Sequence, residues 1–288
     1  MRERWRLAAV QMDVAFADKL RNLHRFRQAI REAAQHQAQL VIFPECSLTG
    51  YAFEEKAQAL EVAEPIPGPS TVELSLLCRE HQLYVIYGLL EREGDRLYNS
   101  CVLLGPDGLL ATYRKIHLPY IGADRFATHG DRPFAVHDLP GLRVGMHICY
   151  DGSFPESARV MALLGVDLIV LPTNWPHTAL CSAQCVPTCR AMENHVYFAA
   201  VNRVGEEGGF RFIGCSRIVA PTGDTLAVAE HDRETILYAE IEPKRARQKH
   251  RVLIPGKHEI NRLADRRPQF YSLITQSEVL RHDPATDR

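Results

Sequence analysis

The sequence predicts an α/β protein in which two mixed β-sheets pack face to face between outer layers of helices, a four-layer α-β-β-α sandwich. Short β-rich runs recur along the 288 residues, and several are apolar on both faces, which indicates sheets covered on both sides. Helical stretches separate the early runs, whereas 83–110 contains consecutive strand patterns. A purely parallel doubly wound sheet would not contain such a run. From the pattern alone, this sandwich is one of several arrangements that accommodate the strands and helices.

Nine runs have the composition of β-strands. They lie at 6–12, 40–43, 83–90, 98–104, 142–149, 168–171, 196–201, 212–219 and 236–241. Glu93-Gly94-Asp95 predicts a hairpin turn after the third run, and Pro106-Asp107-Gly108 predicts a turn after the fourth. These two turns make the middle of the chain a meander of antiparallel strands.

Four stretches predict helices. In the first, apolar residues recur every three or four positions, which is typical of a helix that covers a sheet. They are Ala17, Leu20, Leu23, Phe26, Ile30 and Ala33. Ser70 with Glu73 predicts a capping box at the start of the second helix. The third follows Pro155 over 156–164, and the fourth covers about 179–194, where Pro187 should interrupt or bend it.

Composition narrows the classes of partner and the cellular location. The chain has 34 Lys and Arg against 35 Asp and Glu, a formal net charge of −1, which disfavours nucleic acid and anionic membranes as partners. No window approaches the roughly 18 apolar residues that a membrane span needs, and the apolar stretch after Arg6 is too short for a signal peptide. Eight unevenly spaced cysteines indicate reduced thiols. We therefore predict a cytoplasmic protein.

The chain lacks obvious domain boundaries. No Gly/Ser-rich or Pro-rich linker divides it, and no period of about 20 to 50 residues repeats. We predict one domain over 1–275, followed by a polar C-terminal tail over 276–288.

Three residues with complementary chemistry stand at or just beyond the ends of apolar runs, where α/β proteins tend to place reactive groups. Glu45 offers a base, Lys115 a cation and Cys149 a nucleophile. Taken singly, each has a plainer interpretation, because a lone cysteine is more often a core residue, a lone glutamate a loop carboxylate and a lone lysine a solvated charge. Their local strings decide between these interpretations.

Those strings are Phe43-Pro44-Glu45 followed by Thr49-Gly50-Tyr51, then Arg-Lys-Ile-His-Leu at 114–118, then Ile-Cys-Tyr-Asp at 148–151 followed by Phe-Pro-Glu at 154–156. In this order they resemble the nitrilase superfamily of carbon–nitrogen hydrolases, in its amidase- and carbamoylase-like branch. The resemblance extends from about Ala8 to about Tyr271. It implies the α-β-β-α sandwich, a homodimer or larger homo-oligomer, and no metal or organic cofactor.

The resemblance also implies a catalytic triad of Glu45, Lys115 and Cys149. Glu45 would accept the thiol proton, while Lys115 and the backbone N–H of Tyr150 would stabilise the oxyanion. The expected function is hydrolysis of a small linear amide through a cysteine thioester, releasing ammonia and a carboxylic acid. The alternatives are an N-carbamoyl amine or amino acid as substrate, a nitrile as a lower-ranked substrate, and a non-catalytic scaffold for protein interaction.

One segment departs from the family pattern. Many members carry a second glutamate after the lysine, whereas 119–126 of this chain contains no glutamate. Asp124 is the nearest carboxylate, and its side chain is one methylene shorter. Two interpretations stay open, in which Asp124 takes the place of that glutamate or forms a surface pair with Arg125.

Loops after the strands that carry the triad should line the substrate pocket. The candidate substrate-binding residues are Tyr51, Phe126, Tyr150, Asn174 and Trp175. An N-carbamoyl amino acid would also need a cation for its carboxylate. Arg125 and Arg190 are available, although a surface ion pair or a structural arginine is the favoured interpretation of both.

Other polar residues have simpler explanations. Strand alternation would place His147 on the same face as Cys149, but we favour an interior, hydrogen-bonded histidine; His117 should brace the site. Spacing by four places Cys181, Cys185 and Cys189 on one helical stripe, for which core or surface thiols are favoured over a metal site. The basic run over 244–251 indicates a solvated segment or a subunit contact.

Overall fold

A computed structural model describes residues 3–276, and the chain divides into two compact units, 1–248 and 249–288. The strands of the first unit are β1 Trp5–Gln11, β2 Leu40–Ile42, β3 Tyr84–Glu93, β4 Arg96–Gly105, β5 Gly108–Arg114, β6 Val136–Leu139, β7 Leu142–Met146, β8 Leu168–Thr173, β9 Tyr197–Asn202, β10 Val204–Glu207, β11 Phe210–Ile213, β12 Arg217–Val219, β13 Thr225–Val228 and β14 Thr235–Ile241. Its helices are α1 Lys19–Gln35, α2 Lys56–Val62, α3 Pro69–His81, α4 Pro155–Leu163, α5 Leu180–Asn194 and α6 Pro243–Arg247. The second unit contains the antiparallel hairpin of β15 Arg251–Ile254 and β16 His258–Ile260.

Two six-stranded sheets form the centre of the first unit. Their strand orders are β14-β1-β2-β3-β4-β5 and β13-β12-β9-β8-β7-β6, and each combines parallel and antiparallel neighbours. One apolar cluster takes side chains from both sheets, among them Leu7, Ile42 and Leu103 from the first and Val144 and Val170 from the second. The sheets therefore pack face to face, and burying this apolar surface is the main source of their stability.

Helices cover the outer faces of the sheets. On the first sheet, Phe26 of α1 stacks on Phe43 at a centroid distance of 4.2 Å, and Leu74 of α3 joins the same cluster. On the second sheet, Gly145 of β7 lies so close to α4 that a Cβ there would come within 2.6 Å of the Met161 sulfur. The predicted four-layer α-β-β-α sandwich is confirmed.

The apolar pattern misplaced the start of α1. Asp18 caps the helix by accepting a hydrogen bond from the N–H of Arg21 at 3.0 Å, so the helix begins at Lys19. Ala17 lies before the cap with a φ of 56°, and Leu20 is 79% exposed. Both residues were wrongly assigned to the buried stripe.

The predicted capping box at Ser70 is also wrong. Pro69 occupies the first helical position, which suits its fixed φ and missing N–H, so the cap falls on Gly68. Its N–H donates to the hydroxyl of Thr71 at 2.7 Å. Glu73 instead pairs with Arg27 of α1.

Pro187 does not interrupt α5, which is continuous over its 15 residues. The proline lies on the buried face of the helix, spaced by four from Ala183 and Ala191, so packing offsets the missing hydrogen bond.

The single strand that was predicted over 212–219 is in fact two strands of different sheets, β11 and β12. Gly214 and Cys215 separate them with φ of 64° and 58°.

The extent of the single domain and the polar tail stays a prediction. The tail over 276–288 lies outside the described residues, apart from Gln276. Within 3–276, no helix is both long and apolar enough to cross a membrane.

Candidate active site

The candidate residues lie in three segments that follow β2 and β5 of the first sheet and β7 of the second. Glu45 follows β2 in a loop that lies against Gly88, where a Cβ would approach the Glu45 Cα to 2.7 Å. Only glycine permits this approach. Lys115 directly follows β5, and its N–H donates to the carbonyl of Asn99 in β4 at 2.8 Å. Cys149 begins a short 3-10 helix, Cys149–Ser153, just after β7.

A fully buried lysine joins two carboxylates. Lys115 Nζ donates to Glu45 Oε1 at 2.7 Å and to Asp124 Oδ2 at 2.6 Å, and all three side chains are 0% exposed. The hydroxyl of Tyr51 donates to Asp124 Oδ2 at 2.8 Å. Asp124 is therefore part of this buried cluster, and the alternative of a surface pair with Arg125 is wrong.

The surroundings of the cluster raise the pKa of Lys115, which favours its charged ammonium form, and they also raise the pKa of Glu45. Burial works to lower the pKa of Lys115, but Asp124 and Glu45 outweigh it and raise that pKa well above the ordinary value. Burial also raises the pKa of Glu45, and Lys115 opposes the increase. Of the two Glu45 oxygens, Oε2 has no hydrogen-bond partner among the described residues, so it can accept a proton.

Cys149 carries a neutral thiol in this environment. Its backbone is left-handed, with a φ of 45°, and its side chain packs against the apolar core between the two sheets. Burial and the neighbouring Glu45 raise the pKa of the thiol to about 12, although Lys115, the Thr173 hydroxyl and the Asn174 N–H act to lower it. A thiol with this pKa needs a base before it can act as a nucleophile.

Asp151 ties the lysine segment to the cysteine segment. Its Oδ1 accepts from the N–H of His117 at 3.0 Å and lies 2.7 Å from His117 Nδ1. Its Oδ2 accepts from the Tyr113 hydroxyl at 2.7 Å and from the N–H of Ile148 at 3.0 Å. Burial opposes the charge, yet the contacts with His117 and its neighbours keep the pKa of Asp151 below its usual value. His117 braces the site as predicted.

His147 is an interior residue, as predicted, but it does not share a face with Cys149. Its Nδ1 lies 3.0 Å from the Ser157 hydroxyl of α4, its ring packs edge-on against Phe198, and burial lowers its pKa to about 4. Strand alternation fails because β7 ends at Met146 and the chain then turns into the left-handed conformation of Cys149.

The predicted pocket residues lie in different surroundings. Tyr51 is buried in the cluster, Phe126 is half-buried beneath the Arg125 guanidinium, and Tyr150 is exposed with its ring edge-on to Phe154. Asn174 and Trp175 follow β8 and are both buried. The side-chain oxygen and nitrogen of Asn174 have no hydrogen-bond partner among the described residues, which leaves an acceptor and a donor for a ligand.

The two arginines considered for substrate binding are held by the protein backbone. Arg125 donates to the carbonyls of Gly122 and Phe53. Arg190 donates to the carbonyls of Gly152 and Ser153 and pairs with Glu193.

Cys181, Cys185 and Cys189 are exposed thiols on α5. Across 3–276, no three His, Cys, Asp or Glu side chains are grouped so as to hold a metal ion.

Two residues that the sequence did not single out, Asn99 and Glu207, also support this cluster. Asn99 contacts both carboxylates, and Glu207 accepts from the N–H groups of Tyr51 and Ala52 at 2.6 Å while it pairs with the buried Arg203. A polar residue inside the otherwise apolar run at 98–104 was the available signal for Asn99. No local pattern indicated the contacts of Glu207 with the site, because Tyr51 and Ala52 lie more than 150 positions away along the chain.

Comparison with known proteins defines the class. The family model described as carbon-nitrogen hydrolase matches residues 6–251. A variant of the Nesterenkonia AN1 amidase, described as from the nitrilase superfamily, superimposes with a TM-score of 0.77 at 24% identity, covering 94% of this chain and 97% of that one. The chain belongs to the carbon–nitrogen hydrolase family, and it is an enzyme.

Two relatives carry narrower names. A protein named nitrilase from Pyrococcus abyssi is 39% identical over 267 residues, which cover 92% of this chain and 98% of the relative. The omega-amidase NIT2 of Homo sapiens is 36% identical over 253 residues, which cover 84% of this chain and 90% of the relative. Amide hydrolysis in general is therefore supported for this chain.

Proposed function

We propose that the protein hydrolyses a small linear amide through a thioester on Cys149, releasing ammonia and a carboxylic acid. The observation that carries the proposal is the buried cluster in which Lys115 holds Glu45 and Asp124 beside a neutral thiol. A scaffold would gain little from it, because burying ionised groups costs free energy. The amidase and omega-amidase relatives support the same reaction class.

Each step uses a group with the required chemistry. Glu45 Oε2 accepts the Cys149 proton as sulfur attacks the amide carbon. Lysine has three N–H donors, of which two serve carboxylates, so the third can bind the oxyanion together with the N–H of Tyr150. The carbon–nitrogen bond breaks, Glu45 delivers the proton to ammonia, and the thioester remains. Glu45 then deprotonates water, which hydrolyses the thioester and restores the thiol.

Asn174 is proposed to orient the substrate. Its buried amide offers one acceptor and one donor, which match the N–H and C=O groups of an amide or a carbamoyl group. An N-carbamoyl amine or amino acid is therefore the alternative substrate class. A nitrile, which lacks an N–H donor, ranks below both.

The proposal also includes the oligomeric state and the cellular location of the protein. The second unit exposes Val252, Leu253, Ile254, Phe270 and Leu273, which supports a homodimer or larger homo-oligomer. All eight cysteines are free thiols, which supports a cytoplasmic location. Light scattering during size-exclusion chromatography measures the subunit number.

The test is ammonia release from a panel of small amides, N-carbamoyl compounds and nitriles, with the Cys149→Ala variant measured in parallel. We expect the wild type to act best on small amides and the variant to be inactive. Activity confined to N-carbamoyl compounds or nitriles would replace the substrate class. Silence of the wild type over the whole panel would refute all three substrate classes and point to a carbon–nitrogen bond of another kind.

Replacing Asp124 with asparagine should lower kcat/KM by about 100-fold. Asp124 accepts hydrogen bonds from Lys115, Asn99 and Tyr51, and an asparagine amide would turn an N–H group toward donors. Steady-state kinetics measure the effect. The exposed Asp131 provides a matched Asp131→Asn control that should retain wild-type kinetics. Unchanged kinetics in Asp124→Asn would remove Asp124 from the catalytic machinery.

A further inference from the structure

Asn99 connects every charged member of the cluster. It lies in the middle of β4 and is 1% exposed. Its Nδ2 donates to Glu45 Oε1 at 2.7 Å and to Asp124 Oδ1 at 2.8 Å, and its backbone carbonyl accepts from the N–H of Lys115 at 2.8 Å. Its Oδ1 accepts from the thiol of Cys46 at 3.5 Å.

These contacts use both N–H donors of the Asn99 side-chain amide. A side-chain NH₂ group has two donors, and here each serves a different carboxylate. Two negative groups that share one lysine repel each other, and a neutral double donor between them offsets that repulsion without adding charge. Since Asn99 and Lys115 both bind Glu45 Oε1, the carboxylate plane is fixed and Oε2 is left as its proton acceptor.

We propose that Asn99 is a positioning residue that keeps Glu45 ionised and its Oε2 available to the Cys149 thiol. This inference rests on the proposed role of Glu45 as the base. Hydrogen bonds to a carboxylate favour its charged form, so the Asn99 contact lowers the pKa of Glu45 against the effect of burial. Losing it raises that pKa, and less Glu45 is ionised at a given pH.

The experiment follows alkylation of Cys149 by iodoacetamide as a function of pH. Reaction of the thiol requires ionised Glu45, so the rate should fall on the acid side with the pKa of Glu45. Trypsin places Cys149 in the peptide 144–159 and the exposed thiols of α5 in the peptide 160–190. Peptide mass spectrometry therefore reports the Cys149 rate with an internal control from the same sample.

The acid limb is the part of the pH profile where the Cys149 rate falls toward low pH. In Asn99→Ala this limb should move up by about one to two pH units, because a hydrogen bond to a charged group is worth about 1.5–3 kcal/mol. Asn99→Ser, which retains one donor, should give a smaller shift in the same direction. The matched control is Asn22→Ala, which removes an equally buried amide that binds only the backbone and should leave the limb in place. In Glu45→Gln the decline set by Glu45 should vanish, which leaves a slow rate that follows only the ionisation of a thiol with a pKa of about 12.

Two outcomes separate this inference from the proposed function. An acid limb at the wild-type position in folded Asn99→Ala and Asn99→Ser would overturn the role of Asn99, even in an active amidase. A limb that persists at the wild-type pH in Glu45→Gln would overturn the role of Glu45 as the base and that of Asn99 with it. Because alkylation displaces iodide and leaves the amide bond of iodoacetamide intact, shifted limbs in a protein that hydrolyses no amide would support Asn99 and refute only the substrate class.

Discussion

Replacing Cys149 with alanine is expected to lower kcat for amide hydrolysis by about 10⁴-fold or more, because removal of a nucleophile leaves only binding and oxyanion stabilisation. The change removes one sulfur atom from a partly buried site, so circular dichroism and the melting temperature should stay close to those of the wild type. Ammonia release under saturating substrate measures the loss.

The matched control is Cys185→Ala, which removes an exposed thiol of α5 and should retain full activity. Activity of Cys149→Ala within about tenfold of the wild type would exclude Cys149 as the nucleophile, since a nucleophile contributes far more. A loss of activity accompanied by a lost melting transition would indicate a folding defect instead.

Replacing Lys115 with methionine should destabilise the protein as well as inactivate it. Methionine matches the length of the lysine stem but leaves Glu45 and Asp124 as buried charges without a cation. Breaking such a pair costs about 3–5 kcal/mol in the free energy of unfolding. Urea denaturation at pH 7 measures this loss, and the exposed Lys244 provides a Lys244→Met control that should change little.

The loss in Lys115→Met should depend on pH. Lys115 opposes the rise in the Glu45 pKa, so its removal raises that pKa further above the unfolded value of 4.5. The folded state then binds the proton more tightly than the unfolded state, and stability decreases as pH rises through the folded pKa. The variant should therefore regain stability between pH 7 and pH 5 relative to the wild type. A deficit that is constant with pH would contradict an uncompensated buried carboxylate.

Much of the fold followed from short apolar runs and from two turns. Gly94 and Asp95 separate β3 from β4, as the hairpin signal predicted. The runs that are apolar on both faces correctly indicated sheets that are covered on both sides. The errors lie where the backbone leaves regular structure. Hydrophobic periodicity carries no information about a left-handed φ at Cys149 or Cys215, so the strands at those positions were extended too far.

The site was predictable only in its outline. The strings around Glu45, Lys115 and Cys149 identified three members, because their motifs are local in the sequence. Asn99 and Asp124 act through contacts made across strands and a loop, 54 and 79 positions from Glu45 respectively. Which oxygen meets which donor depends on the register of β4 and on the path of the chain after Lys115, and composition cannot specify either.

The central claim is that an acyl group passes through Cys149, and the most direct measurement is partitioning of that acyl group between water and hydroxylamine. Propionamide and methyl propionate share one acyl group and differ in the leaving group. If both form the same thioester, the ratio of hydroxamate to propionate at a fixed hydroxylamine concentration is the same for both. A ratio that depends on the leaving group would contradict a common Cys149 thioester and, with it, the proposed mechanism.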